Sequence, residues 1–202
     1  MLQRGTERLQ RAGALFGSVG AAGWERPLHF VPGEEGAELY QHEELSFDHN
    51  ACDWVRRAAA EHHACRNGVA LFDLSSFGKV VLSGGAAEEL LEWTMSCPVA
   101  TCADGRVSYT QMLNGRGGIE SDLTMVPLPP EDPLHPQTGG RAFYLVHAST
   151  ACTRDVDHLR LSATQMAGSV ASGVAFQDVT DDFAVLALMG PQSRRLLGRV
   201  LP

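Results

Sequence analysis

Residues 107–126, VSYTQMLNGRGGIESDLTMV, decide the fold class of this chain. Two runs of strand-forming residues, 107–113 and 119–126, flank the joint NGRGG at 114–118. This pattern predicts a β-hairpin with a loop slightly longer than the tightest turns. In a strand, successive side chains point to opposite faces. The second strand therefore presents two sets of side chains: Ile119, Ser121, Leu123 and Met125 on one face, and Glu120, Asp122, Thr124 and Val126 on the other.

Asp122 is the unusual residue of this hairpin, because aspartate is a poor strand former. Its place inside the second strand requires either solvent or a binding partner. One interpretation is a solvated polar face, which the general burial preferences of aspartate favour when the pattern alone is considered. The other is a carboxylate fixed on a rigid strand beside a glycine-rich loop. Such a group is suited to proton transfer or to stabilising a cation.

Two helices are predicted ahead of the hairpin. The first is capped by Asp48 and closed by Asn67-Gly68, two residues that tolerate the left-handed conformation with which helices end. The second starts at Ser83 and ends before Pro98. Three- and four-residue spacing predicts the buried face of the second helix, which consists of Ala87, Leu90, Leu91 and Thr94.

The remaining patterns complete the predicted architecture. Four further strands are predicted, over residues 69–74, 79–82, 143–148 and 183–189, and the first of them is expected to be buried. A helix is expected over 150–161, and Gly190-Pro191 is expected to open a last helix with proline in its first turn. The proline-rich stretch 127–140 indicates a surface loop. Because strands and helices mix without a strict βαβ rhythm, the predicted class is α+β.

Composition excludes several classes of function. A chain of 202 residues allows one substantial core or two small subdomains. A formal net charge of −8 argues against a general nucleic-acid binder. No apolar run reaches the roughly 18 to 20 residues that span a bilayer, so no membrane partner is expected. Five cysteines without a Cys-x-x-Cys pair indicate reduced intracellular thiols rather than a disulfide framework or a zinc ribbon.

Two other groups have both an ordinary and a functional interpretation. His62, His63 and Cys65 lie close together on the first helix, but no second ligand pair with metal spacing occurs, so no metal site is expected. Ser83-Gly84-Gly85 joins a strand to a helix, whose N-terminus can hold an anion. The motif is too short for a phosphate loop, so a tight turn is favoured.

Several blocks of the sequence, in order, resemble one family. The blocks are LQRAGALFG (9–17), GWERP (23–27), EHHACRNGVALFDLSSFGK (61–79), YTQMLN with GGIESDLT (109–124) and AVLALMGPQS (184–193). Together they resemble the folate domain of the sarcosine and dimethylglycine dehydrogenases. The pyruvate dehydrogenase phosphatase regulatory subunit belongs to the same group, and the glycine-cleavage T-protein is related. The resemblance extends over nearly the whole chain except the proline-rich loop.

The resemblance implies a fold and a chemistry. The fold is glycine-cleavage T-protein-like, with mixed and antiparallel sheets and packed helices. In the family, a flavin domain oxidises an N-methyl amine, and tetrahydrofolate captures the one-carbon unit as 5,10-methylene-tetrahydrofolate. By resemblance, Asp122 takes the catalytic role of the hairpin aspartate, which orients the pterin and helps to manage a proton. Folate contacts are implied for Tyr109, Met112, Asn114, Gly117, Gly118 and Ile119.

The resemblance also sets the expected domain boundaries. Residues 1–45 are expected to be a junction from an FAD domain, and residues 46–202 the N-terminal part of the folate domain. A Gly-x-Gly-x-x-Gly fingerprint is not found, so FAD is expected only from another domain or from a separate flavin-bearing chain. The Gly-Glu-x-Gly-Trp-Glu stretch of the family's second folate half has no counterpart in this sequence either.

Three functions therefore stay open. The first is a folate-binding part of a sarcosine or dimethylglycine dehydrogenase-like protein, with folate and a small N-methyl amine as its partners. The second is a non-catalytic regulatory or interaction module like the phosphatase regulatory subunit, and the third is a truncated, inactive fragment. Arg4, Arg8 and Arg11 fit a transit peptide or a short surface helix, and the helix is favoured. The expected location is the mitochondrial matrix or the cytoplasm.

Overall fold

The computed structural model describes residues 6–18, 25–30, 53–137, 139–166 and 173–201. The chain divides into two units, which are Met1–Ser75 with Ala184–Pro202, and Ser76–Phe183. The expected domain boundary between residues 45 and 46 lies outside the described residues. Helices occur together with antiparallel sheets, which confirms the α+β class.

The elements follow one another along the chain in a mixed order. They are α1 (Thr6–Arg11), β1 (Ala14–Ser18), β2 (Glu25–Phe30), α2 (Asp53–Asn67), β3 (Ala70–Asp73), β4 (Gly78–Ser83), α3 (Ala87–Thr94), a short 3-10 helix (Val99–Thr101), β5 (Ser108–Leu113), β6 (Ile119–Leu128), β7 (Ala142–His147), α4 (Cys152–Gln165), β8 (Ala175–Asp178), β9 (Leu186–Met189) and α5 (Ser193–Val200).

The first unit contains two small antiparallel sheets, β1 with β2 and β3 with β9. Helix α2 ends at Asn67, as predicted, and the amide of Gly68 donates to the carbonyl of Ala64. The predicted cap Asp48 lies outside the described residues. The prediction that the strand after Gly68 is buried is wrong, because Leu71 is 63% exposed and Phe72 41%. A two-stranded ribbon does not enclose its own side chains.

The last helix begins later than predicted. Gly190 and Pro191 form a turn, Gln192 is at the N-cap position, and α5 starts at Ser193, so the proline precedes the first turn. Gly190 is required there because its φ is 121° and an added Cβ would lie 2.5 Å from the carbonyl oxygen of Gly68.

The second unit is built on a five-stranded sheet in the order β5-β6-β7-β4-β8, in which every neighbouring pair is antiparallel. Strand β8 was not predicted. Strand β6 extends two residues into the stretch assigned to the proline-rich loop and includes Pro127. Pro127 fits because its backbone groups point to the β5 side, where its carbonyl accepts from the amide of Gly105 at 2.7 Å. It lies beyond Met125, the last residue of β6 that pairs with β5, so its missing N–H removes no ladder bond.

Helices α3 and α4 pack on one face of this sheet. The four residues predicted for the buried face of α3 are all buried, as expected. The main core consists of Leu82, Ala87, Leu90, Leu91, Met95, Val99, Met112, Leu123, Met125, Phe143, Leu145, Leu159 and Ala163. A smaller cluster with Val81, Leu128, Ala142 and Val179 covers part of the opposite face. Among the described residues, none of the helices is long and apolar enough to traverse a bilayer.

Candidate functional site

The β5–β6 hairpin places Asp122 on the face of the sheet that lies opposite the helices. Its neighbours Ser121 and Leu123 are buried on the helix side, whereas Asp122 itself is exposed. This is the alternation that the sequence predicts. Ile119 departs from it and is 66% exposed. The pairing shifts by one residue at the end of the hairpin, where Leu113 pairs with Ile119, and this irregularity turns Ile119 away from the core.

Tyr109 is the direct partner of Asp122. The register pairs Tyr109 with Thr124 and Gln111 with Asp122, so Tyr109 and Asp122 are diagonal neighbours on adjacent strands. The Tyr109 hydroxyl donates a hydrogen bond to Asp122 Oδ2. This bond, together with desolvation and the negative charge of Asp122, raises the pKa of the Tyr109 phenol. The phenol therefore stays protonated and keeps its donor directed at the carboxylate.

Asn114 is committed to the turn of the hairpin. Its Oδ1 accepts hydrogen bonds from the amides of Arg116 and Gly118, at 3.0 Å and 2.9 Å, and its Nδ2 donates to Glu120 Oε1 at 2.7 Å. Gly117 has a φ of 76°, and a Cβ at Gly118 would lie 2.9 Å from Asn114 Nδ2. The joint is thus a side-chain-stabilised turn in which the positive φ of Gly117 favours glycine.

The structure brings only some of the predicted folate-contacting residues to one surface. Tyr109 and Ile119 are exposed at the hairpin, and Gly117 and Gly118 lie in its turn. Met112 is fully buried in the core on the helix side. Its side chain therefore faces away from Asp122, and only its backbone belongs to the hairpin surface.

A buried polar cluster lies behind the hairpin, and sequence analysis missed it. Asp155, in the first turn of α4, is 1% exposed. Its Oδ2 accepts a hydrogen bond from Ser121 Oγ at 2.7 Å and lies 3.1 Å from His147 Nδ1. Burial raises the pKa of Asp155, but hydrogen bonds from His147 and Ser121 outweigh it and lower the net pKa. A polar Ser121 on an otherwise apolar strand face was the available signal.

The two other candidate groups have ordinary structural places. His62 and His63 are exposed on α2, and their ring centroids are 6.2 Å apart. No group of three or more His, Cys, Asp or Glu side chains within the described ranges is arranged to hold a metal ion. The Ser83-Gly84-Gly85 segment turns tightly, and a Cβ on Gly84 would lie 2.2 Å from the carbonyl oxygen of Gly173.

The sequence matches the model of the GCVT N-terminal domain over residues 6–202. This chain belongs to that family. It is 32% identical to mitochondrial sarcosine dehydrogenase from Homo sapiens, across 89% of this chain and 21% of that protein. It is 33% identical to 4-methylaminobutanoate oxidase (formaldehyde-forming) from Paenarthrobacter nicotinovorans, across 96% of this chain and 21% of the oxidase. An aminomethyltransferase from Chlorobaculum tepidum is 32% identical across 71% of this chain and 35% of the transferase.

The GCVT fold also appears in a solved structure. Glycine cleavage system aminomethyltransferase T from Bartonella henselae matches this chain with a TM-score of 0.66 and 24% identity. The match covers 98% of this chain and 43% of the other. The expected T-protein-like fold is confirmed. The chain spans between a fifth and about a third of the length of the curated relatives it matches.

Proposed function

We propose that this chain forms part of a tetrahydrofolate-binding surface, in a protein that captures the one-carbon unit of an N-methyl amine as 5,10-methylene-tetrahydrofolate. The exposed Asp122–Tyr109 pair carries the proposal, because it combines a fixed carboxylate with an aromatic ring on one open sheet face. The relatives favour this chemistry, since two are named for the oxidation of N-methyl amino acids and a third for aminomethyl transfer.

Each residue of the pair has a definite task in this proposal. Tetrahydrofolate, when bound, supplies the nitrogens that take up the one-carbon unit. Asp122 accepts hydrogen bonds from N–H groups of the reduced pterin and offsets positive charge that develops during the transfer. Tyr109 holds the carboxylate in place and offers a flat ring against which a pterin can pack. Ile119 adds exposed apolar surface at the end of the hairpin.

The flavin and the location belong to the same proposal. FAD, where the whole protein uses it, is held by another domain or by a separate chain, because this sequence carries no Gly-x-Gly-x-x-Gly fingerprint. We place the protein in the mitochondrial matrix or the cytoplasm. The human relative, which is named as mitochondrial, favours the matrix.

Calorimetric titration of the full chain with tetrahydrofolate, without oxygen, tests the proposal. Asp122→Asn keeps the shape of the side chain and removes its charge, so the affinity should fall by roughly 10- to 100-fold, as expected for one charge-assisted hydrogen bond. Asp181→Asn, in the exposed turn after β8, is the matched control and should bind normally. Asp104 is a poorer control because it pairs with Arg141 at 3.2 Å. No binding by the wild type, or equal affinity in the Asp122 variant, would contradict the proposal.

A further inference from the structure

The part of β6 that carries Asp122 has a neighbouring strand on the β5 side only. Strand β7 pairs with β6 from Leu123, opposite His147, to Leu128, opposite Ala142. Within the described ranges, Ile119–Asp122 pairs with β5 alone. An isolated two-stranded ribbon is only marginally stable in water. On the β5 side, the amide of Ser96 donates to the carbonyl of Gln111 at 2.9 Å and Met95 bridges to Met112, so the open edge of β6 is the side that needs support from another element.

Helix α4 contacts this end of the hairpin. Arg154 Nη2 donates a hydrogen bond to the carbonyl oxygen of Glu120 at 2.6 Å. Asp155 accepts from Ser121 Oγ at 2.7 Å, and His158 Nε2 lies 3.2 Å from the carbonyl oxygen of Leu113. The three helical residues lie within about one turn of α4, so one short surface contacts both strands of the hairpin.

We propose that Arg154 and Asp155 are positioning residues for Asp122, an inference that rests on the folate-binding role proposed for Asp122. Ser121 and Asp122 share a peptide group and point to opposite faces of β6. The bond from Ser121 to Asp155 on the helix face therefore also sets the orientation of the Asp122 side chain on the opposite face. Arg154 adds a second fixed point one residue earlier, at the carbonyl group of Glu120.

The two positioning residues also support one another. Arg154 Nη2 lies 3.3 Å from Asp155 Oδ1, so a single guanidinium group contacts both the hairpin backbone and the buried carboxylate. The Arg154 side chain is 62% exposed, whereas that of Asp155 is fully buried. Truncating Arg154 therefore removes the hairpin contact without opening the core, and it is the better residue to change.

Hydrogen exchange of the free full chain is the first test. In Arg154→Ala, backbone amides of residues 119–122 should exchange about 10-fold faster, as expected for the loss of one charge-assisted hydrogen bond. Amides of residues 80–82, in the middle of the sheet, should be unchanged. Arg106→Ala, an exposed arginine in the loop before β5, is the control. Unchanged exchange at 119–122, or an equal increase throughout the sheet, would overturn the inference.

A double-mutant cycle on tetrahydrofolate affinity is the second test. If Arg154 acts through Asp122, Arg154→Ala should weaken binding about 10-fold in the wild-type background and have little further effect in the Asp122→Asn background. Additive losses would mean that Arg154 has a merely structural role and would overturn the inference. Failure of the proposed function looks different, because the wild type would then not bind tetrahydrofolate at all. In that case the exchange measurement still decides whether α4 fixes the hairpin.

Discussion

The hydroxyl of Tyr109 donates a hydrogen bond to the carboxylate of Asp122 across the β5–β6 ladder. The two residues are not directly opposite each other, since Tyr109 pairs with Thr124, two positions further along β6. Such diagonal neighbours are within reach of a long aromatic side chain. The pair therefore depends on the register of the hairpin, and it responds to any change that shifts β6 against β5.

The ionisation of Tyr109 provides a test of this bond without any ligand. The hydrogen bond to Asp122 and the negative charge of the carboxylate hold the pKa of the Tyr109 phenol above its ordinary value. Asp122→Asn should therefore lower the pKa of Tyr109, which ultraviolet difference titration of phenolate formation measures. The experiment is cleanest in a background with Tyr40→Phe and Tyr144→Phe, because the chain has three tyrosines and Tyr109 is then the only phenol that titrates. An unchanged or higher pKa of Tyr109 in Asp122→Asn would show that the bond does not form in solution.

The turn between β4 and α3 should tolerate a side chain at Gly85 but not at Gly84. Gly84 has a φ of 114°, and a Cβ there would lie 2.2 Å from the carbonyl oxygen of Gly173. Gly84→Ala should therefore lower the free energy of unfolding by about 2 to 4 kcal/mol, which combines backbone strain with overpacking. A Cβ on Gly85 has no heavy atom within 4 Å, so Gly85→Ala should change stability by about 0.5 kcal/mol or less. Denaturant unfolding that gives similar values for both variants would contradict the close approach.

The buried Asp155 should make stability depend on pH. Because the folded state lowers the pKa of Asp155, the ionised carboxylate stabilises the protein above the unfolded pKa of about 3.9, and this contribution is lost as the pH falls through the folded value. Asp155→Asn should cost about 3 kcal/mol of unfolding free energy near pH 5, from loss of a buried charged partner. The difference from the wild type should shrink on acidification below about pH 4.

Asp157→Asn supplies the control for that comparison. Asp157 lies on the same helix and is exposed. Within the described part of the chain, its carboxylate pairs with Arg160 alone. Its replacement should have little effect at either pH. A constant difference between the wild type and Asp155→Asn from neutral to acidic pH would contradict an ionised Asp155 in the folded state.

The local sequence pattern predicted most elements of the second unit. It failed where pairing with a distant strand determines whether a segment forms a strand or is buried. The spacing of Ala87, Leu90, Leu91 and Thr94 was sufficient to predict the buried face of α3, because helix periodicity is a local property. Strand β8 escaped prediction because four residues with a polar Gln177 give little alternation, and its place is fixed by pairing with β4. The exposure of Leu71 likewise follows from the size of its sheet, which the local pattern does not contain.

The candidate site divides in the same way. Alternation predicted that the Asp122 and Leu123 side chains lie on opposite faces of the strand. This prediction needs no knowledge of distant residues, because the period of two is a local property of a strand. The Asp155 cluster joins β6, β7 and α4, so no local window of sequence contains it. Met112 was grouped with the folate contacts through family resemblance, although its side chain packs in the core. Strand register and tertiary contacts determine the place of the Asp155 cluster and of the Met112 side chain.

Hydrogen exchange of the full chain with and without tetrahydrofolate tests the central claim most directly, since it locates the ligand on the molecule. Bound tetrahydrofolate should slow exchange in peptides that cover residues 108–113 and 119–126, and the effect should be lost in Asp122→Asn at the same ligand concentration. Unchanged exchange in the hairpin at a saturating ligand concentration, or protection confined to other elements, would contradict a folate-binding role for the Asp122 face.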